Sequence, residues 1–295
     1  MKRLFILTLI LLFCVTPVSA SSLEVRRIEG ADRYETSLAV NRHFTKTHWA
    51  VLVSGQNFPD ALAGGPLAAA LDAPLYVTRS DEISMELFEQ LHTQEVKNIY
   101  ILGGPRSISM EVDASLSEFA VTRIAGIDRY ETAELIVDEM ERMRPDGVHY
   151  YASGETFADA LAASSFVHAT EGLLHLVPSY VEVRVTDAIA LGGRRSVSGD
   201  IARISGPTRF DTALAFAKAY PHKGGIAIVV NGYDFPDALS ASGYASSIRA
   251  PIFLSDDDGL KENVRTYIQE NFNEVVIIGG ENSVPIIVEE QLKMQ

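Results

Sequence analysis

The sequence predicts an α/β protein of three tandem, homologous modules, each an open and mostly parallel sheet. The first observation is that one phrase is written three times: RIEGADRYET (Arg27–Thr36), RIAGIDRYET (Arg123–Thr132) and RISGPTRFDT (Arg203–Thr212). The second is order. Each copy is followed by a second phrase, centred on Asp60, Asp159 and Asp237, and then by a third at Gly103-Gly104, Gly192-Gly193 and Gly279-Gly280. The third is spacing. The copies start 96 and then 80 residues apart, the size of small domains and far longer than solenoid repeats.

Within the first unit, apolar runs alternate with helix-like stretches. Strands are expected at Val25–Ile28, Ala50–Val53, Pro74–Val77 and Ile99–Leu102. Helices are expected at Tyr34–Thr45, Ala61–Leu71 and Met85–Leu91, with a further one near Glu111–Phe119. Right-handed crossovers would line the loops after the strands along one sheet edge, where open α/β sheets bind ligands. All three phrases fall at such turns and should gather there. The second unit is shorter: Asp159 to Gly192 is 33 residues, against 43 from Asp60 to Gly103. The shortage coincides with the third helix, and Pro178–Val185 is too short and too β-branched to replace it. The expected organisation is a signal peptide over residues 1–20 and modules over 21–120, 121–200 and 201–295, with no room for flexible linkers.

The first twenty residues read as an export signal: Lys2 and Arg3, an apolar run from Leu4 to Val15, and Val18-Ser19-Ala20 before the cut. The run is too short to span a bilayer. Lipidation at Cys14 is the alternative, disfavoured by the bulky Phe13 before it. Cleavage after Ala20 removes the only cysteine, so core burial alone must hold the exported chain together. The net charge moves from −14 to −16, which argues against nucleic acid or an anionic membrane as partner. No second membrane-length apolar stretch follows.

In the first phrase, Gly30, Gly126 and Gly206 stand where a strand must turn, a position suited to positive φ. Asp32 with Glu35, and Asp128 with Glu131, have capping-box spacing, and Thr208 with Asp211 keeps the logic. Capping leaves Arg33-Tyr34, Arg129-Tyr130 and Arg209-Phe210 unexplained, because a first-turn cation opposes the helix dipole. Each arginine therefore needs a partner: either a carboxylate such as Asp60, Asp159 or Asp237, or an anionic ligand gripped bidentately. Those aspartates precede small-residue helices, where close helix packing is the simplest reading. The glycine pairs before Ser107, Ser196 and Ser283 read either as tight turns with a serine cap or as anion cradles.

Other chemistry finds no support. The seven histidines are scattered, without HExxH or GxSxG, and no cysteine nucleophile survives export. Asp256-Asp257-Asp258-Gly259 lacks calcium-loop spacing. No catalytic residue, metal or cofactor is expected.

Taken together, the phrases resemble the cell-wall-binding repeat type 2 family of Gram-positive surface proteins. The residues that carry the resemblance are Arg123–Thr132, Ala152–Ala162, the short strands Pro74–Val77 and Pro251–Leu254, and Ile278–Gly280. It implies Rossmann/Toprim-like modules about a pseudo-threefold axis, holding noncovalently to an anionic secondary cell-wall polymer. The second unit departs by having Leu173-Leu174 where the others have Pro74 and Pro251. The implied protein is secreted, non-catalytic and resident at the cell surface. The alternatives are an accessory of a wall hydrolase such as an amidase, an extracellular hydrolase, or a solute-binding protein. Against the acidic net charge, local arginines (Arg26, Arg27, Arg33, Arg129, Arg194, Arg195 and Arg209) could still form positive clefts, since screening limits repulsion beyond ~8–10 Å.

Overall fold

The computed structural model describes residues 23–56, 58–219 and 225–294; the expected export signal over residues 1–20 lies outside them. Three four-stranded parallel sheets make up the molecule. The first contains β2 (Trp49–Ser54), β3 (Leu75–Thr78), β4 (Asn98–Leu102) and β5 (Ala120–Ile124), in the order β3-β2-β4-β5. The second contains β6 (His149–Ser153), β7 (Leu173–Val177), β8 (Ile189–Leu191) and β9 (Ala202–Ile204), in the order β7-β6-β8-β9. The third is built from β10 (Ile226–Asn231), β11 (Ile252–Ser255) and β12 (Glu274–Ile278), and its fourth strand comes from the other end of the chain. β1 (Glu24–Ile28) pairs in parallel with β12, Glu24 opposite Glu274 and Ile28 opposite Ile278.

Each RIxG strand therefore completes the sheet of the unit before it, and the helix that follows enters the next unit. α1 (Arg33–Asn41) packs on β3, α5 (Arg129–Met143) on β7, and α7 (Arg209–Ala219) on β11. The sequence boundaries near 120 and 200 fall at β5 and just before β9, so sheet membership cuts across the sequence repeat. With β1 in the third sheet, the exchange runs 1 to 2, 2 to 3 and 3 to 1, and closes a ring.

Three central helices line the ring's axis: α2 (Gly64–Ala70), α6 (Ala158–Ala169) and α8 (Pro236–Ser247). Their small residues let the backbones approach. A Cβ on Gly65 would stand 2.8 Å from Ser242 Oγ and 3.2 Å from Ser164 Cβ. Ser164, Ser240, Ser242 and Ser246 are wholly buried, and all but Ser240 return their hydroxyl to a carbonyl of their own helix. Phe58, Phe157 and Phe235, one from each module, form a triangle with centroids 5.3 to 6.2 Å apart. This is the pseudo-threefold arrangement that the family resemblance implies.

The expected helix Ala61–Leu71 is interrupted. A 3-10 turn at Pro59–Ala61 precedes α2, whereas α6 and α8 run unbroken. Pro66 has no N–H for the carbonyl four residues back, which makes it fit only the first turn of a new helix.

The outer face of the first sheet is covered by α3 (Met85–Thr93) and α4 (Met110–Ser115), and the third sheet has α9 (Glu262–Asn271) and α10 (Ile287–Lys293) at the matching positions. The second sheet has neither helix among the described residues. The shortage seen in the sequence thus extends to a second helix, between β8 and β9. A strap tied by the Glu182–Ser198 bridge stands in, and burying Val183, Ala188, Ala190 and Val197 gives that face only a small core.

Candidate functional site

The strand order turns back on itself between the first and third strand of each sheet, so the loops after these strands diverge and leave a crevice. Phrase two follows the first strand and phrase three the third, and they meet there. Ser107 Oγ donates to Asp60 Oδ2 at 2.5 Å. Ser196 and Ser283 make the same bond to Asp159 and Asp237. The serines thus bind these aspartates rather than cap a helix, which was one of the two readings of the glycine-pair turns.

Gly103, Gly192 and Gly279 have φ of +106°, +106° and +117°, the left-handed region that glycine reaches without strain. A Cβ at each would also stand 2.3 to 2.7 Å from an aspartate oxygen. Gly30, Gly126 and Gly206, for which positive φ was expected, do not have it. Their reason is proximity: a Cβ there would lie 2.4 or 2.5 Å from the Cβ of Glu35, Glu131 or Asp211. Their amides donate to Thr36, Thr132 and Thr212 at 3.0 to 3.1 Å.

The capping acids cap. Asp32 accepts from the amides of Tyr34 and Glu35, Asp128 from Tyr130 and Glu131, and Thr208 exchanges bonds with Asp211. Arg33, Arg129 and Arg209 find a partner that neither sequence reading contained. Each donates from Nη1 to a backbone carbonyl, of Gly55, Gly154 and Gly232, at 2.6 to 2.7 Å. The aromatic beside each arginine lies over that same glycine, where a Cβ would come 2.6 to 3.1 Å from the ring of Tyr34, Tyr130 or Phe210. The Arg-aromatic pair therefore pins the turn after the first strand of its own module. One edge of each half-buried guanidinium is used this way.

The other edge looks across a module junction. Arg33 acts on Asp237, and Arg209 on Asp159, through their charge. α5, which begins at Arg129, packs against the Pro59–Ala61 turn that carries Asp60. No carboxylate lies within 4 Å of these arginines among the described residues. The three phrases do gather, but not within one unit: phrases two and three of each module face phrase one of the next. Between modules 2 and 3 this makes a cleft of about 600 Å³ lined by Asp159, Gly193, Arg195, Thr208 and Arg209. Burial pushes the Asp159 carboxyl up to about 6 despite the Ser196 hydroxyl and Arg209. Asp237 is raised too, by burial first, with Ser283, Thr36 and Arg33 opposing and Asp234 reinforcing.

Sequence reasoning missed Arg123 and Arg203 and counted Arg27 only as a free cation. These arginines hold the glycine-pair turns. Arg27, Arg123 and Arg203 donate to the carbonyls of Gly279, Gly103 and Gly192 at 2.6, 2.7 and 3.0 Å. Arg27 and Arg123 also pair with Glu289 and Asp113. Their recurrence at the head of every copy was the available signal. Arg26 is paired with Glu274 and Arg194 with Asp200, leaving Arg195 of the expected cleft arginines without a partner among the described residues.

The sequence matches the family model of cell wall binding domain 2 (CWB2) three times, over residues 27–113, 123–202 and 203–289. The chain belongs to this family. Among relatives in Bacillus subtilis (strain 168), it is 26% identical to the N-acetylmuramoyl-L-alanine amidase LytC, over 96% of this chain and 60% of that protein. It is 29% identical to an amidase enhancer, over 90% of this chain and 40% of that protein. The chain thus spans about half the length of these relatives. Cwp6 and Cwp8 from Clostridium difficile superpose with TM-scores of 0.79 and 0.80, at 24% and 23% identity. They cover 93% and 92% of this chain and 48% and 51% of their own, and share its fold. No helix among the described residues is long and apolar enough to cross a membrane.

Proposed function

We propose that the chain is a non-catalytic anchor at the cell wall, held noncovalently to an anionic secondary wall polymer through the clefts at its module junctions. The observation that carries this reading is the composite cleft: a left-handed glycine turn, an aspartate fixed by a serine, and an arginine from the neighbouring module with one edge still free. Such an edge can take a phosphate or carboxylate oxygen, and the glycine pair lets a polymer approach the backbone. Membership of CWB2 supports the wall as the site of action. Sedimentation with purified Gram-positive walls, before and after chemical removal of secondary polymers, tests it. The chain should co-sediment with intact walls, be lost from stripped ones, and dissociate with rising salt. Equal retention on both would overturn the polymer as ligand.

A second reading is favoured by the two Bacillus subtilis relatives, an amidase and an amidase enhancer. In it, the anchored chain assists a wall hydrolase. Adding the purified chain to walls digested by an amidase should then change the rate of digestion, and no change would remove this reading alone.

A further inference from the structure

The three junctions are alike in backbone and unlike in charge. The residue between Ile and Gly in the first phrase is Ala125 at the junction of modules 1 and 2, Ser205 at that of 2 and 3, and Glu29 at that of 3 and 1. It lies beside the glycine pair of the third phrase, since the isoleucine before it pairs with the residue before that pair: Ile124 with Leu102, Ile204 with Leu191 and Ile28 with Ile278. A Cβ built on Gly104 or Gly193 meets nothing within 4 Å, so the space above both backbones is open. At Gly280 the same point lies 3.3 Å from Glu29 Oε2. There a carboxylate stands where a ligand oxygen would come.

The turn residues vary in the same sense. After the glycine pair come Pro105-Arg106 and Arg194-Arg195, but Glu281-Asn282 in module 3. Arg106 and Arg195 are exposed and make no hydrogen bond or ion pair among the described residues. Module 3 also carries Asp234 where the others have Asn57 and Thr156. Its Asn231 amide donates to the Ser283 carbonyl, tying the turn after the first strand to the turn after the third. Ser54 and Ser153, the equivalents of Asn231, reach only the amides two residues on. By position in the repeat, Glu29, Asp234, Asp237 and Glu281 thus belong to the junction that Arg33 enters, whereas the junction of Asp60 carries Arg106 and Arg129; Asp159 lines one cleft with Arg195 and Arg209.

We infer that the ring has two working polymer sites, not three: Arg106 and Arg195 grip anionic groups of the polymer at their junctions, and the junction at Glu29 is silent. This rests on the polymer-binding reading above and assigns its stoichiometry and the residues that set it. The ligand chemistry is a sugar-polymer phosphodiester or carboxylate; a cleft of about 600 Å³ has room for one such unit.

The test is calorimetric titration with polymer fragments released from purified walls by mild acid. Glycerol-phosphate and uronate oligomers serve as separate arms to distinguish phosphate from carboxylate. The parent should bind two fragments per chain. Arg106→Glu and Arg195→Glu should each leave one site, with about tenfold weaker retention on whole walls, and the double variant none. These side chains are exposed and unpartnered, so melting temperature should hold and report that each variant is folded. Combining Glu29→Ala, Glu281→Pro and Asn282→Arg should open a third site. A parent stoichiometry of three, or charge reversals that leave both stoichiometry and affinity unchanged, would overturn the assignment while wall binding stood. A parent that binds neither walls nor fragments would instead refute the polymer reading itself.

Discussion

At the residue scale, two titratable groups, the buried Asp159 and the half-buried His168, pull stability in opposite directions. Burial raises Asp159 to about 6, so between its ordinary value and that pH the folded state holds a proton the unfolded state has released. Stability then falls as pH rises through this window. His168 is pushed down to about 4, by burial first and then by Arg144 and Arg249. Here the unfolded state binds the extra proton, and stability falls as pH drops through ~6.5 toward 4. The contributions of these two groups to the parent's acid-range profile should therefore largely cancel. Asp159→Asn should raise stability at neutral pH by up to about 2 kcal/mol and expose the histidine slope; His168→Gln should expose the opposite slope. Urea melts between about pH 4 and 8 measure both, and parallel profiles for the two variants would contradict these environments.

The arginines of the first phrase show what the sequence could and could not display. That Arg33, Arg129 and Arg209 needed partners was legible from the dipole argument. That the partners are carbonyls was not, because a backbone acceptor leaves no residue-type signature. Arg123 illustrates the same blindness: it grips Gly103 O, Ser109 O and Asp113 with side chains only 14% and 21% exposed. Arg123→Met should cost about 2–3 kcal/mol in chemical denaturation, and a loss under 0.5 kcal/mol would show that the turn holds without it.

At the scale of elements, strand positions were readable because parallel strands buried on both faces give continuous apolar runs. Val51, Leu52 and Val53 in β2, and Val229 and Val230 in β10, are wholly buried, as those runs required. The break before α2 was encoded in Pro66 but hidden by the apolar continuity around it. The loss of both outer helices in module 2 was half legible, since a missing length shows in the spacing and a helix replaced by turns does not. Its consequence is energetic. The corresponding face of module 1 buries Leu52, Tyr76, Leu87, Leu91, Ile99 and Ile101 in one cluster, whereas module 2 has only Val183, Ala188, Ala190 and Val197. Local opening is cheapest where few apolar contacts are lost. Amide exchange should therefore be fastest in β8 and the strap before it, ahead of β4 and β12. Equal protection of β8 and β4 would refute this.

At the scale of the molecule, the ring is closed by a strand five residues long. β1 gives β12 its second neighbour, and through Arg27 it reaches Gly279, Val284 and Glu289, holding the third glycine turn and α10. A chain beginning at Gly30 would leave β12 as a bare parallel edge and the turn unheld. An exposed, apolar edge strand templates association, so this truncation should unfold at lower denaturant and form oligomers, seen by light scattering. Truncation alone cannot separate the loss of a strand from the loss of ring closure. A permuted chain can. In module 1, α4 ends at Ser115 and β5 starts at Ala120, so a short link carries a chain from the last helix to the closing strand. Moving residues 23–29 behind α10 through a link of that length would rebuild the third module on the plan of the first. No tertiary contact is lost, and closing so short a loop differs little in entropy from the native arrangement. The permutant should recover the parent's denaturation midpoint to within about 1 kcal/mol and remain monomeric. If truncation left the midpoint unchanged, the strand would have no part in closing the ring; if the permutant stayed oligomeric, the strand would be acting through its covalent link to α1 rather than through its place in the third sheet.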